Sequence, residues 1–472
     1  MKNSTLIQVL KSFSKDEYEK FNEFISSSYF NKAVYVCKYF EKIKEYYPEF
    51  LNLEESKEKI FKSLYPGRIY NDATIRKLNS EVLKLAEEFI TVSSLQNQNF
   101  LKNTLLLEQL DKRKIDSLFS RKLSSSYLLL EQSGLRTEKY FKDLTALNDI
   151  EFLFYSMRNR TKGFPVHCDS NENLDKFYII QKLKKIIVIA NESKHRKKIF
   201  LGKKEIAGFI NSVKKNQFFN LPSIQILYNV FMIIWEGKTE YFNSLKDLFK
   251  IHKSEIGEDE AEWIYFTMIN FCIIQSNAGK KEFINEELEL YKSIIVDNFL
   301  LFNDAIETDF YKNIIFCAVE AGDFEFAENF KDKYAKNIFS KDKDYIVDLC
   351  NADIAFAKKD YAKALEILAK INFTDVQQKF NLRNLSLKIF YENDMYEQAF
   401  LSIDSYRQNL KREDTLPPDF TRLYTTFITL YKKLLKIKLS KNQNEAQLLN
   451  INIKKAETIG KVWLLKQSEA LF

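Results

Sequence analysis

Three short stretches in the last third of the chain repeat one pattern: Gly322-Asp323-Phe324-Glu325-Phe326-Ala327, Lys359-Asp360-Tyr361-Ala362-Lys363-Ala364 and Asp394-Met395-Tyr396-Glu397-Gln398-Ala399. In each, an aromatic residue is followed three positions later by alanine, and Phe324, Tyr361 and Tyr396 stand 37 and 35 residues apart. A period of this length is that of stacked helix pairs, each of which buries its apolar faces only against its neighbours. The pattern therefore constrains the architecture more than any other feature of the chain.

Composition agrees with an all-α reading. Only 10 Gly and 6 Pro occur in 472 residues, too little turn chemistry for a chain of many short strands. Hydrophobic residues make up 45% and aromatics 15%, which excludes a disordered chain. Five scattered cysteines, Cys37, Cys168, Cys272, Cys317 and Cys350, include no CxxC pair and read as free thiols. The apolar run Leu6 to Leu10 is too brief for the hydrophobic region of a signal peptide, and the charge-free stretch Asn216 to Trp235 carries a mid-run Pro222 with several amides. The expectation is a cytoplasmic protein that neither crosses nor binds a membrane.

Three regions are expected. Residues 1–95 read as an N-terminal helical domain, opened by a Ser14/Glu17 capping box. Residues 96–215 read as a middle helical region, interrupted near Gly134 and by an irregular segment at 160–173 that contains Gly163 and Pro165. Residues 216–472 read as helical repeats closed by two long helices, about 418 to 438 and 442 to 468. Within the repeats, helix pairs are predicted at 223–235 with 239–252, 258–276 with 281–295, 305–320 with 323–336, 345–358 with 361–370, and 375–392 with 395–411. Thr374 with Gln377 offers a further capping box.

The pairs around residues 310–411 resemble tetratricopeptide repeats in divergent form. The resemblance rests on Ala352, Asp360, Tyr361 and Ala364 in one copy, on Gly322, Asp323, Phe324 and Ala327 in another, and on Tyr396 and Ala399 in the third. The early tryptophan and closing proline of that family are missing. What the resemblance implies is an elongated α-solenoid of antiparallel helix hairpins with a concave surface that binds an unidentified peptide or protein, and no catalytic residues. The repeat-packing residues are then Gly322, Phe324, Ala327, Ala352, Tyr361, Ala364, Tyr396 and Ala399.

Motifs for chemistry are sparse. Three histidines, His167, His195 and His252, leave no pair at metal-ligand spacing, and there is no HExxH, no GxSxG and no phosphate-cradling glycine loop. His167-Cys168 is the one nucleophile-like pair, and Asp169, Asp175 and Glu192-Ser193-Lys194 resemble a nuclease carboxylate set only if strands accompany them. The expectation is a non-enzymatic scaffold or adaptor that needs no cofactor and no metal.

Charge placement supplies the alternative. Lys182, Lys184, Lys185, Lys194, Arg196, Lys197, Lys198, Lys203, Lys204, Lys214 and Lys215 face only Glu192 and Glu205, so this block alone exceeds the chain's net +7. Lys432, Lys433, Lys436, Lys438, Lys441, Lys454, Lys455, Lys461 and Lys466 form a second basic block. Clustered cations of this kind mark either a solvated face or a site for an anionic partner such as nucleic acid, with Lys194, Arg196, Lys197, Lys198, Lys203 and Lys204 as candidates. A helix-turn-helix around Tyr65-Pro66-Gly67-Arg68, presenting Arg76, Lys77 and Lys84, would serve the same reading.

Overall fold

The computed structural model describes residues 4–132, 136–195, 202–373, 376–412 and 417–471. Among them the protein is all-helical, and extended pairing is limited to isolated bridges at Phe302–Ala305 and Ile306–Ile338. Its contacts divide it into two compact units, Met1–Phe177 and Tyr178–Phe472.

The first unit opens with α1 (Thr5–Ser12), α2 (Lys15–Ser26), α3 (Val34–Lys44), α4 (Lys57–Leu64) and α5 (Asp72–Asn97). At the start of α2 the Glu17 amide donates to the Ser14 hydroxyl at 3.2 Å and the Ser14 amide to the Glu17 carboxylate at 2.8 Å, the reciprocal cap that the sequence predicts. These helices enclose one core, in which Phe21, Tyr39, Phe40 and Ile75 are almost fully buried. A separate core lies among α6 (Asn99–Lys112), α7 (Asp116–Gln132) and α8 (Glu138–Ser156), around Leu107, Phe119 and Leu147. Arg158 ties these three together through Asp111 at 2.8 Å and Asp116 at 2.9 Å.

The irregular segment expected at 160–173 is instead the start of α9 (Arg160–His195). Pro165 and Gly163 mark a break by local preference, but packing overrides it. A Cβ on Gly163 would stand 3.3 Å from the Tyr155 Cβ, so the missing side chain lets this helix approach α8, and His167 stacks on Phe152 at 4.3 Å.

In the second unit follow α10 (Lys203–Lys215), then α11 (Pro222–Glu236) packed on α12 (Thr239–His252), and α13 (Glu258–Asn277) on α14 (Glu282–Val296). Next come α15 (Thr308–Ala321) with α16 (Phe324–Tyr334), α17 (Lys343–Ala357) with α18 (Tyr361–Lys370), and α19 (Val376–Glu392) with α20 (Tyr396–Arg412). The first helices also touch one another: α15 packs on α17, and α17 on α19.

The three turns inside these last pairs have one geometry. Gly322, Lys359 and Asp394, each two residues before the aromatic anchor, adopt left-handed backbone with φ of 82°, 63° and 54°. The next amide then reaches back five residues to a helix carbonyl, Asp323 to Ala318, Asp360 to Ala355 and Met395 to Phe390, all at 2.9 Å. That bond satisfies a carbonyl left open at the helix end, which is the role of a left-handed C-terminal cap. The Asp323 and Asp360 carboxylates cap the following helices, accepting from the Phe326 and Lys363 amides at 3.1 Å. Ala327, Ala364 and Ala399 are completely buried three residues after the anchor, and so is Ala352 on α17.

The chain then continues through α21 (Pro418–Ser440), α22 (Gln443–Lys455) and α23 (Lys461–Glu469). The long closing helix expected at 442–468 is therefore two helices. The break follows an extended cap at Ala456 and ends at Gly460, with φ of 60°, where a Cβ would meet the Phe427 ring at 3.1 Å. The Thr374/Gln377 capping box, the break at Gly134, and Arg196, Lys197 and Lys198 lie outside the described residues.

Candidate functional site

Counting back from the three aromatic anchors leads to one place. Twelve residues before Phe324, Tyr361 and Tyr396 stand Lys312, Leu349 and Asn384; eight before stand Phe316, Asp353 and Lys388; four before stand Glu320, Ala357 and Glu392. Every one of these lines a single cavity of about 580 Å³ in the second unit. Steps of four keep residues on one helix face, so α15, α17 and α19 present equivalent stripes to a shared chamber. Phe324 and Phe356 add aromatic wall, and Phe427, Ile459, Gly460, Trp463 and Lys466 close another side.

The closing side is held by one carboxylate. Glu392 accepts from the Trp463 indole at 2.6 Å, from the Gln467 amide at 2.9 Å and from the Tyr361 hydroxyl at 3.0 Å. The turn tyrosine of one helix pair is thus linked through Glu392 of the next to α23. α23 also packs on α13, and Glu469 at its end stands 3.8 Å from Lys281 at the start of α14.

Asp353 sits on the α17 stripe, enclosed by protein yet open to the cavity. Burial pushes its carboxyl up to about 6; Lys388 pulls the other way and Glu320 adds to the rise. Lys312 is engaged by Asp309 at 2.7 Å, and the Lys388 stem runs beside Gly460, whose Cβ would lie 3.6 Å from the Lys388 Cε. Asn384 and Asn381 use their side-chain oxygens to accept from Tyr406 at 2.7 Å and Tyr424 at 2.9 Å, which leaves their amide nitrogens as donors. A second cavity of about 250 Å³, bounded by α13, α14, α15 and Val462, shares Phe316 and Glu320 with the first. Glu287 borders it, and burial pushes that carboxyl up to about 7.

Comparison with family models, curated proteins and solved structures finds no match. The geometry of the chain therefore stands by itself.

The sequence-selected residues fall into two groups. Gly322 and Phe324 line the cavity, Tyr361 bonds a residue that lines it, and the buried alanines lie behind the stripes. Tyr396 turns aside to donate to Asp394, which in turn pairs with Lys438 at 2.7 Å. Of the candidate anion-binding residues, Lys204 is exposed at the start of α10, whereas Lys194 and Lys203 are described only as helical backbone. Elsewhere in the basic blocks, Lys184 pairs with Glu260 at 3.1 Å, and Lys461 donates to the Lys454 and Ala456 carbonyls. In the first unit Arg76 pairs with Asp72 at 3.0 Å on α5. Cys168, next to His167 on α9, is exposed while the imidazole stacks on Phe152, so the two do not form a dyad.

Among the described residues no group of three His, Cys, Asp or Glu side chains is placed to hold a metal ion, and no helix is long and apolar enough to cross a membrane. Sequence reasoning missed Asp353, Lys388, Glu392 and Trp463. The signal was present as the shared offsets from the aromatic anchors, with Asp353 standing between Ala352 and Ile354 in an otherwise apolar stretch.

Proposed function

We propose that the second unit is a divergent tetratricopeptide-like α-solenoid, and that the chain is a non-enzymatic scaffold or adaptor binding a peptide or protein segment on the concave face of its helix pairs. One observation carries the reading: nine residues at three shared offsets, drawn from three successive helix pairs, line a single cavity. A repeat array builds its binding surface from equivalent positions in this way, and the volume lies in the range of ordinary ligand sites. Aromatic wall, free amide donors and charges of both signs suit a peptide, whose backbone needs hydrogen bonds and whose side chains need pockets.

The alternative is a nucleic-acid-associated regulator using the 182–215 block or the N-terminal helices, and there Lys182, Lys185 and Lys204 are exposed while other cations are taken up within the chain. Lys184, Lys438 and Arg76 are each engaged by a carboxylate of the chain itself.

A photo-crosslinking amino acid at Phe316 tests the proposal in cells. Crosslinks to protein are expected there, to disappear when Ala357→Trp fills the cavity, and to be weak from a control position at Lys363 on the exposed side of α18. Equal crosslinking from both positions, or crosslinking indifferent to Ala357→Trp, would refute it.

A further inference from the structure

Asp353 is a carboxylate in this cavity with no ion pair or hydrogen bond of its own, its charge offset only in part by Lys388. It lies within α17, away from the helix N-terminus that would favour a carboxylate, and no donor of the described residues hydrogen-bonds it. Of the nearby cations only Lys388 acts on it, from across the cavity and without an ion pair or hydrogen bond. Lys312 of α15 is held by Asp309, Lys388 of α19 runs beside Gly460, and Lys359 and Lys466 are exposed at the rim. Glu320 of α15 adds a second negative charge, while Glu392 of α19 is spent on Trp463, Gln467 and Tyr361. The α15–α17 side of the chamber is therefore negative and walled by Phe316, Phe356 and Leu349.

We propose that the cavity selects a peptide segment carrying a lysine or arginine side chain, whose cation pairs with Asp353 while its apolar stem lies along Phe316 and Phe356. The pairing suits both partners. A long basic side chain buries its methylenes against apolar wall and keeps its charged end for a carboxylate, and an aromatic wall attracts the cation as well. An anionic or wholly apolar ligand would shut Asp353 away from cavity water with only the offset of Lys388 to compensate, which is the costly arrangement. The raised Asp353 carboxyl is consistent with a site whose negative form awaits its partner. This inference rests on the reading of the cavity as the binding site, and adds to it the chemistry of the ligand.

The test is selection from an unbiased random-peptide library on the immobilised full-length chain, followed by calorimetry of the best binder. Enriched peptides should share a lysine or arginine. Asp353→Asn should weaken the best binder at least about tenfold, as loss of one partner of a desolvated charge pair does, while Lys363→Ala should leave it unchanged. Replacing the basic residue of the peptide by norleucine should cost wild type the same factor and Asp353→Asn nothing further. Circular dichroism of Asp353→Asn excludes unfolding as the cause.

Binders that lack a basic residue yet are lost with Ala357→Trp would overturn the choice of ligand and leave the site standing. So would an unchanged affinity of Asp353→Asn for a binder that Ala357→Trp abolishes. Binders indifferent to Ala357→Trp, or no binders at all, would overturn the site and the inference together.

Discussion

Replacing Asp353 by asparagine should make the protein more stable, and only at neutral and alkaline pH. The carboxyl moves from its ordinary 3.8 to about 6 in the folded chain, chiefly through burial. Each pH unit of such a rise is worth about 1.4 kcal/mol, so above both values the ionised group costs the fold up to about 3 kcal/mol. The sign follows from proton uptake. Between 3.8 and 6 the folded state holds the proton that the unfolded state releases, so stability falls as pH rises through this window and levels off above it. Below 3.8 both states are protonated and the cost vanishes. Asparagine carries no charge at any pH. The variant should therefore gain up to about 3 kcal/mol near pH 8 and almost nothing near pH 4.

Urea titration followed by tryptophan fluorescence reads the right part of the chain, because Trp235, Trp263 and Trp463 all belong to the second unit. A gain of equal size at both pH values would mean that charge is not the cause. A loss near pH 8 would mean that the ionised carboxylate makes a stabilising bond, and the argument from burial would fail.

Other outcomes follow from the same geometry. Lys359→Gly should stabilise the chain by about 1 kcal/mol, since a side-chained residue there holds a φ of 63° that glycine adopts freely; thermal melting without a rise would refute this. Ala364→Phe should destabilise by about 1–3 kcal/mol through overpacking at a fully buried position, read as a lowered urea midpoint. Trp463→Phe keeps an aromatic ring but removes the donor to Glu392, and should cost about 1–3 kcal/mol, with melting followed by circular dichroism. Binding of the full chain to a generic DNA duplex should be weak at low salt; tight, steeply salt-dependent binding lost on neutralising Lys194, Arg196, Lys197 and Lys198 would revive the nucleic-acid reading.

What could be read from the sequence was local. The Ser14/Glu17 cap, and α18 with its exact limits of Tyr361–Lys370, depend on residues within a turn of one another, and short-range chemistry decides them. The misjudged elements were decided at a distance. Pro165 breaks a helix by propensity, yet α9 continues because Gly163 and His167 pack onto α8. The segment 442–468 looks continuous, yet it divides at 456–460, and Trp463 and Gln467 then meet Glu392 about seventy residues earlier in the chain. The site stayed hidden for a related reason. A helix such as α19 buries residues around most of its circumference, so periodicity does not single out the stripe that faces the chamber. The shared offsets from the aromatic anchors mark it, and the adjacency of α15, α17 and α19 brings the three rows to one chamber.

Ala352 and Asp353 are neighbours in the chain with opposite duties, one closing a helix contact and the other open to the chamber. Across the three pairs the buried alanine recurs unchanged after the turn, while the row eight residues before the anchor reads phenylalanine, aspartate, lysine. The positions that hold the helices together and those that face the chamber are thus separate. On the proposed reading, a change at Phe316, Asp353 or Lys388 alters what the chamber accepts one helix at a time and leaves the buried alanines in place.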